Sequence, residues 1–212
     1  MELYGEGLLT SLHDDGSAFA TWLRYEDGRR MALDLPRWIA PASPADDALL
    51  SRCTGPTLDI GCGPGRLTRA LVARGIDCLG VDVAPVAVAL ASTGGTPVLH
   101  ASIYDEILDD TRWATVLLAD GNIGIGGDPV MLLARAGALC TGNVLVELDA
   151  PWVQTSRLHV RIETSAGRES SWFPWAHVSA ADIGQVASKA RMTVNESWCA
   201  EGRWFAELLL GC

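Results

Sequence analysis

The chain has 212 residues, 49% hydrophobic and 20% charged, which suits one globular domain carrying a small extension. Its formal charge of −10, with Lys189 the sole lysine among sixteen basic residues, opposes binding to a nucleic-acid backbone. No run reaches the ~18 apolar residues of a membrane span, and the acidic start Met1-Glu-Leu-Tyr-Gly-Glu lacks the features of a signal peptide, so a cytoplasmic protein without a membrane partner is expected.

In chain order, Ala20-Thr-Trp-Leu-Arg-Tyr and Arg30-Met-Ala-Leu-Asp-Leu flank Glu26-Asp-Gly-Arg, a strong hairpin signal. Residues 1–44 therefore read as a small N-terminal cap, and Pro36 to Pro44 reads as a linker to a second unit, residues 45–212. Ser43 before Pro44 fits a helix N-cap, with the helix Ala45 to Cys53 stopping at Gly55. From residue 56, short apolar strand runs (57–60, 78–81, 98–100, 115–119, 144–148) alternate with helical runs (66–74, 85–92, 129–139). Runs 157–164 and 172–175 form an inserted hairpin, followed by a helix over 180–191. Runs 192–199 and 203–210, around Ala200-Glu-Gly, form a second hairpin that closes the sheet. The expected fold is α/β: a doubly wound, Rossmann-like seven-stranded sheet with an antiparallel C-terminal hairpin and a small N-terminal cap.

Directly after the first sheet strand stands Leu58-Asp-Ile-Gly-Cys-Gly-Pro-Gly-Arg-Leu-Thr. Glycines at 61, 63 and 65 allow tight positive-φ geometry and close approach of a ligand, beside the free N–H groups of a helix start. A dinucleotide fingerprint would put its third glycine where Arg66 stands, which disfavours nicotinamide and flavin. The next strand ends in Gly80-Val-Asp-Val, and an acid there can accept hydrogen bonds from both hydroxyls of a ribose, which makes Asp82 the ribose anchor. The six cysteines are scattered without a C-x-x-C pair, so neither a disulfide scaffold nor a metal site is expected.

With the acid Asp59, the Gly61-x-Gly63-x-Gly65 loop and Asp82, the chain resembles the class I S-adenosylmethionine-dependent methyltransferases over residues 45 to 212. The resemblance implies S-adenosyl-L-methionine as cofactor: Asp59, Gly61, Cys62, Gly63 and Gly65 near its methionine part, Asp82 on the ribose, and Val83 beside the adenine. Where the family often has an acid after the third strand, this chain has Ser102, so adenine recognition falls to Ser102 or Asp105, with Ile103 on the ring face. The implied function is methyl transfer to a small-molecule acceptor through O, N, S or C, by a monomer or homodimer. Two alternatives stay open, another use of the sulfonium such as cyclisation or decarboxylation, and a non-catalytic cofactor-binding protein.

In such sheets the ligand lies beyond the carboxyl ends of the strands. The loop Ala119-Asp-Gly-Asn-Ile-Gly-Ile-Gly-Gly can bring Asp120, Asn122 and backbone N–H groups to cofactor or substrate. His100, ending strand three, and His177, after Trp172-Phe-Pro-Trp, are the candidate bases, with Asn122 beside them as a candidate catalytic residue. Glu147 and Asp149 read as solvated strand-end carboxylates. Trp22, Trp38, Trp172 and Trp175 are candidate walls of an apolar substrate pocket, and Arg24 a candidate partner for a substrate anion.

Overall fold

The computed structural model describes residues 2–12 and 20–211; His13 and Cys212 lie outside the described residues. The chain begins with α1 (Glu2–Leu12), the hairpin β1 (Thr21–Tyr25) and β2 (Arg30–Ala32), then α2 (Leu35–Ile39) and α3 (Pro44–Leu50). The main sheet follows as β3 (Thr57–Ile60), α4 (Arg66–Ala73), β4 (Cys78–Asp82), α5 (Pro85–Thr93), β5 (Val98–His100), β6 (Trp113–Leu118), α6 (Pro129–Leu139) and β7 (Cys140–Leu148). An insertion, β8 (Ser156–Thr164) and β9 (Phe173–His177), precedes α7 (Ile183–Lys189), β10 (Met192–Ala200) and β11 (Arg203–Leu210). The seven strands lie in the order β10-β11-β7-β6-β3-β4-β5. Five are parallel, and the closing hairpin runs antiparallel against β7, as the sequence leads one to expect.

Each central strand is buried on both faces, and alternation divides its side chains between two cores. Val116 and Leu118 of β6 pack with Leu132, Leu133 and Ala187 from α6 and α7. Leu117 faces the other way, onto Leu49, Leu67, Leu71 and Phe205. Local signals start the helices. Ser43 and Asp46 form a reciprocal capping box on α3 with Pro44 behind the cap, and Asp128 Oδ1 accepts from the N–H groups of Val130 and Met131 at 3.1 Å to open α6.

Three features depart from the sequence expectation. The N-terminal hairpin pairs with the inserted one, which the sequence does not announce: β1 pairs with β8, Leu23 opposite Ile162, giving one antiparallel sheet β2-β1-β8-β9. Pro36 to Pro44 is not a plain linker, because α2 forms within it, capped by Asp34. Helix α1 lies in a segment where Gly5 and Gly7 oppose helix formation. They are the contact points, a Cβ on Gly5 falling 2.7 Å from Val86 Cβ of α5 and one on Gly7 2.6 Å from Leu35 of α2.

The glycine-rich segment after β6 also has a packing reason. It folds into 3₁₀ turns over Asn122–Gly127 that press on β9, where a Cβ on Gly124 would collide with the carbonyl oxygen of Ala176 and one on Gly127 would sit 2.8 Å from Pro174 Cβ. Gly124→Ala is expected to cost about 1–3 kcal/mol by overpacking. An unchanged urea midpoint would show that β9 is not seated on this loop.

Candidate active site

A cavity of about 590 Å³, within the usual range for small-molecule sites, lies between the carboxyl ends of β3, β4, β6 and β7 and the inner face of the four-stranded sheet. On its floor Gly61 and Gly63 have φ of 70° and 55°, a left-handed geometry that side chains resist. Asn122 clamps this loop by donating through Nδ2 to the carbonyl oxygens of Ile60 (2.8 Å) and Gly61 (2.9 Å). Its amide nitrogen therefore holds the loop, a positioning task, while the side chain also lines the cavity. Gly65 lies behind the cavity wall as the residue that starts α4, with φ 81°.

Asp82 accepts from the N–H groups of Gly63 (2.8 Å) and Ala84 (2.7 Å), one on each carboxylate oxygen. A carboxylate has about four acceptor sites, so room remains for two ribose hydroxyls. Burial raises its pKa although those backbone donors oppose the shift. Asp59 is buried and accepts from Thr68 Oγ1 at 2.7 Å. Burial pushes it up to about 6, against the Thr68 bond and reinforced by the charge of Asp120. Cys62, Val83, Ser102 and Ile103 also line the cavity. Asp105 does not line it; its Oδ2 accepts from the Ser102 N–H at 2.8 Å.

Beside the glycine loop lies a charge network that no local motif announces. Arg66 bonds Asp46 and, at 2.7 Å, Asp120; Arg203 reaches Asp46 (2.6 Å) and Glu147 (2.6 and 2.8 Å); Arg37 of α2 reaches Asp120 at 2.6 Å. Asp120 adopts φ 54°, and its own N–H donates to Glu147 Oε2 at 2.6 Å. Glu147 is therefore a buried network member and not the solvated carboxylate expected, and Asp120, although at the cavity wall, has its carboxylate held by arginines. Burial of Asp46 would raise its pKa, but bonds from Arg203 and the Ser43 N–H, with the charge of Arg66, hold it down at about 2.

At the opposite end, His177 Nδ1 lies 3.0 Å from Asp149 Oδ2 and its Nε2 lies 2.9 Å from Tyr25 Oη. Asp149 also accepts from the Val178 N–H at 3.1 Å, and both it and His177 face the cavity. Of the two candidate histidines the structure brings in only this one. His100 ends β5 in solvent, outside the cavity, with Nε2 3.2 Å from the carbonyl oxygen of Val83.

Among the candidate substrate residues, Trp38 and Trp175 line the cavity. Trp22 and Arg24 do not, because β1 alternates and its inward phase is Thr21, Leu23 and Tyr25. Arg24 and Arg30 are paired with Glu163, and the Arg30 guanidinium lies over the Trp22 ring. Trp172 is exposed on the outer side, under Arg161 at 4.8 Å. Among the described residues there is no group of three or more His, Cys, Asp or Glu side chains placed to hold a metal ion, and no helix is long and apolar enough to cross a membrane.

The strand order, the glycine loop and the acid ending the second sheet strand define the architecture of class I S-adenosylmethionine-dependent methyltransferases. Residues 58–112 match a family profile described as a methyltransferase domain. A solved S-adenosylmethionine-dependent methyltransferase from Bacteroides fragilis, in complex with S-adenosylhomocysteine, superposes with a TM-score of 0.83 at 16% identity, covering 99% of this chain and 94% of that one. A Burkholderia thailandensis 1,6-didemethyltoxoflavin-N1-methyltransferase follows at TM-score 0.57 and 17% identity, over 80% of this chain and 77% of that one. A sugar N-methyltransferase from Streptoalloteichus sp gives 0.57 and 17%, over 82% and 88%. No curated protein matches by sequence.

The two perturbed acids act on stability in opposite directions. Asp46 is depressed, so its contribution is complete above about pH 4 and is lost as the pH falls toward 2. Asp59 is raised, so the folded state holds a proton the unfolded chain has released, and stability falls as the pH climbs from about 4 through 6. Asp59→Asn should therefore be more stable than the parent at pH 7.5 by about 2–3 kcal/mol, and nearly equal to it at pH 4, in ligand-free melting. A difference independent of pH would contradict this assignment.

Proposed function

We propose that the protein transfers a methyl group from S-adenosylmethionine to a small-molecule acceptor in the cytoplasm, enclosed between the sheet end and a cap formed by residues 1–44 with β8 and β9. The observation that carries the reading is that the Gly61–Gly63 loop and Asp82 open into the same cavity whose far wall is the four-stranded sheet. Cyclisation or decarboxylation of the cofactor alone needs no such second compartment.

The bound cofactor supplies an electrophilic methyl on a sulfonium. Asp59 and the loop from Gly61 to Gly63 face its methionine part, Asp82 takes the ribose hydroxyls, and Val83, Ser102 and Ile103 flank the adenine. Of the five carboxylates lining the cavity, Asp120 and Glu147 are held by arginines and Asp149 by His177, which leaves Asp59 and Asp82 as the acids whose field favours a cationic ligand. The Bacteroides fragilis structure holds S-adenosylhomocysteine, and the Burkholderia structure holds its small acceptor 1,6-didemethyltoxoflavin together with S-adenosylhomocysteine, which supports the same pairing here.

S-adenosylhomocysteine should raise the melting temperature by preferential binding to the folded state. Asp82→Ala should weaken that binding by roughly 2 kcal/mol through loss of charge-assisted bonds, with the fold retained. No thermal shift at millimolar ligand would remove the cofactor assignment, and an unchanged dissociation constant would remove Asp82 from the site. Incubation with methyl-labelled cofactor and a cell extract should move label into small molecules; a label that leaves the cofactor in any other form would favour another use of the sulfonium.

A further inference from the structure

We propose that the acceptor is an uncharged aromatic compound bearing an ionisable hydroxyl, and that His177, oriented by Asp149, takes its proton. The inference rests on the methyl-transfer reading above. The cap side of the cavity presents rings: Tyr4 meets Trp38 edge-on at 5.9 Å and Phe173 meets Trp175 edge-on at 6.4 Å, with Leu23 and Ile162 between. Such walls favour a flat apolar ligand.

Charge selects further. Among the described residues, every charged side chain lining the cap side is already paired. Arg24, expected to meet a substrate anion, is turned away onto Glu163 at 3.5 Å, and Arg37 behind the wall is bound to Asp120. A carboxylate or phosphate on the acceptor would enter facing acids and no free cation, losing its hydration without a partner. A protonated amine has no lone pair with which to attack, although Asp149, whose bonds from His177 and the Val178 N–H both fall on Oδ2, could still accept from it.

The His177–Asp149 pair on that side suits proton abstraction. With Nδ1–H donated to Asp149, Nε2 of His177 carries the lone pair, and Tyr25 Oη donates to it. Tyr25 has a second acceptor in Met31 Sδ at 3.5 Å, so it can yield Nε2 to an incoming hydroxyl. The acceptor hydroxyl then passes its proton to Nε2 while its oxygen forms the bond to the methyl carbon. The carbon–sulfur bond breaks with its electron pair staying on sulfur, leaving a neutral thioether. Asp149 faces the imidazolium so formed; Tyr25 from β1 and Asp149 after β7 are the titratable groups on the ring, and among the described residues it has no other ionic partner.

The test uses the full chain saturated with S-adenosylhomocysteine, titrated calorimetrically with neutral phenols of one to three rings and with matched hydroxybenzoate-type carboxylates. The same compounds are then offered with methyl-labelled S-adenosylmethionine. Neutral phenols are expected to bind and to be methylated at least tenfold better than their carboxylates. His177→Gln should lower kcat about 100-fold or more while S-adenosylhomocysteine affinity stays within about threefold. Asp149→Asn, a positioning change, should lower kcat about tenfold and move the acidic limb of the pH–rate profile to lower pH, since the imidazolium loses its carboxylate. Equal use of the carboxylates, methylation of matched anilines in place of phenols, or a near-parental kcat for His177→Gln would overturn the proposal. A loss in Tyr25→Phe as deep as that of His177→Gln would overturn Nε2 as the atom that takes the proton. Normal S-adenosylhomocysteine binding with no phenol bound or methylated would defeat the acceptor class alone, whereas absent S-adenosylhomocysteine binding would defeat the reading beneath it as well.

Discussion

Three arginines and three carboxylates meet where β3, β6 and β7 end and β11 begins, and the geometry of the site depends on that meeting. Arg66 is 3% exposed and Asp46 is fully buried. Taking such charges out of water costs several kcal/mol per ion unless each finds its partners. The six therefore form as a set or not at all. Because they come from α2, α3, the start of α4, the end of β6, β7 and the start of β11, satisfying them fixes six elements against one another. The left-handed backbone at Asp120 follows from this, since four hydrogen-bonding partners over-determine a conformation that an aspartate would not otherwise hold.

The network also divides the cavity electrically. Its three positive and three negative charges cancel, leaving Asp59 and Asp82 as the acids on the floor without an arginine partner. Burial raises the pKa of both, so a cationic ligand beside them would recover interaction energy that the empty floor lacks. Across the cavity, the inner face of the four-stranded sheet is apolar, with the His177–Asp149 pair at one end. A cofactor with a localised positive centre and a neutral acceptor are thus sorted to opposite walls by the same arrangement.

What the sequence disclosed was local. The glycine spacing at 61, 63 and 65, the acid at 82 and the alternation of apolar runs with helix starts are each written within a dozen residues, and the sheet order follows from them. The network is not local: residues 37, 46, 66, 120, 147 and 203 share no spacing, and of them the sequence singles out only Asp120, as a cofactor-side group, and Glu147, as a solvated carboxylate. In β1 the alternation itself was readable, but not which phase faced inward, because that is set by pairing with β8. The bulky Trp22 and Arg24 drew attention, while Leu23 and Tyr25 hold the inner face. Strand position favoured His100 over His177, yet β5 is a three-residue edge strand whose end opens to solvent, and only the inserted hairpin carries a histidine over the cavity.

That β1 pairs with β8, Thr21 against Thr164, makes the cap a long-range construction. Closing such a loop carries an entropic cost that grows slowly with length, but it is met only once the main sheet exists to hold both ends. Beyond the buried apolar cluster of Leu8 and Leu35 with Ala84 and Ala87 and the Arg157–Asp128 pair, four contacts tie the cap to the sheet: α1 on α5, the glycine turns on β9, Arg37 on Asp120, and His177 on Asp149. Two of these four are side-chain pairs at the cavity itself, and the rest are close approaches that admit no extra methyl group. The Arg37–Asp120 and His177–Asp149 pairs thus shape the site and join the cap to the sheet end at once.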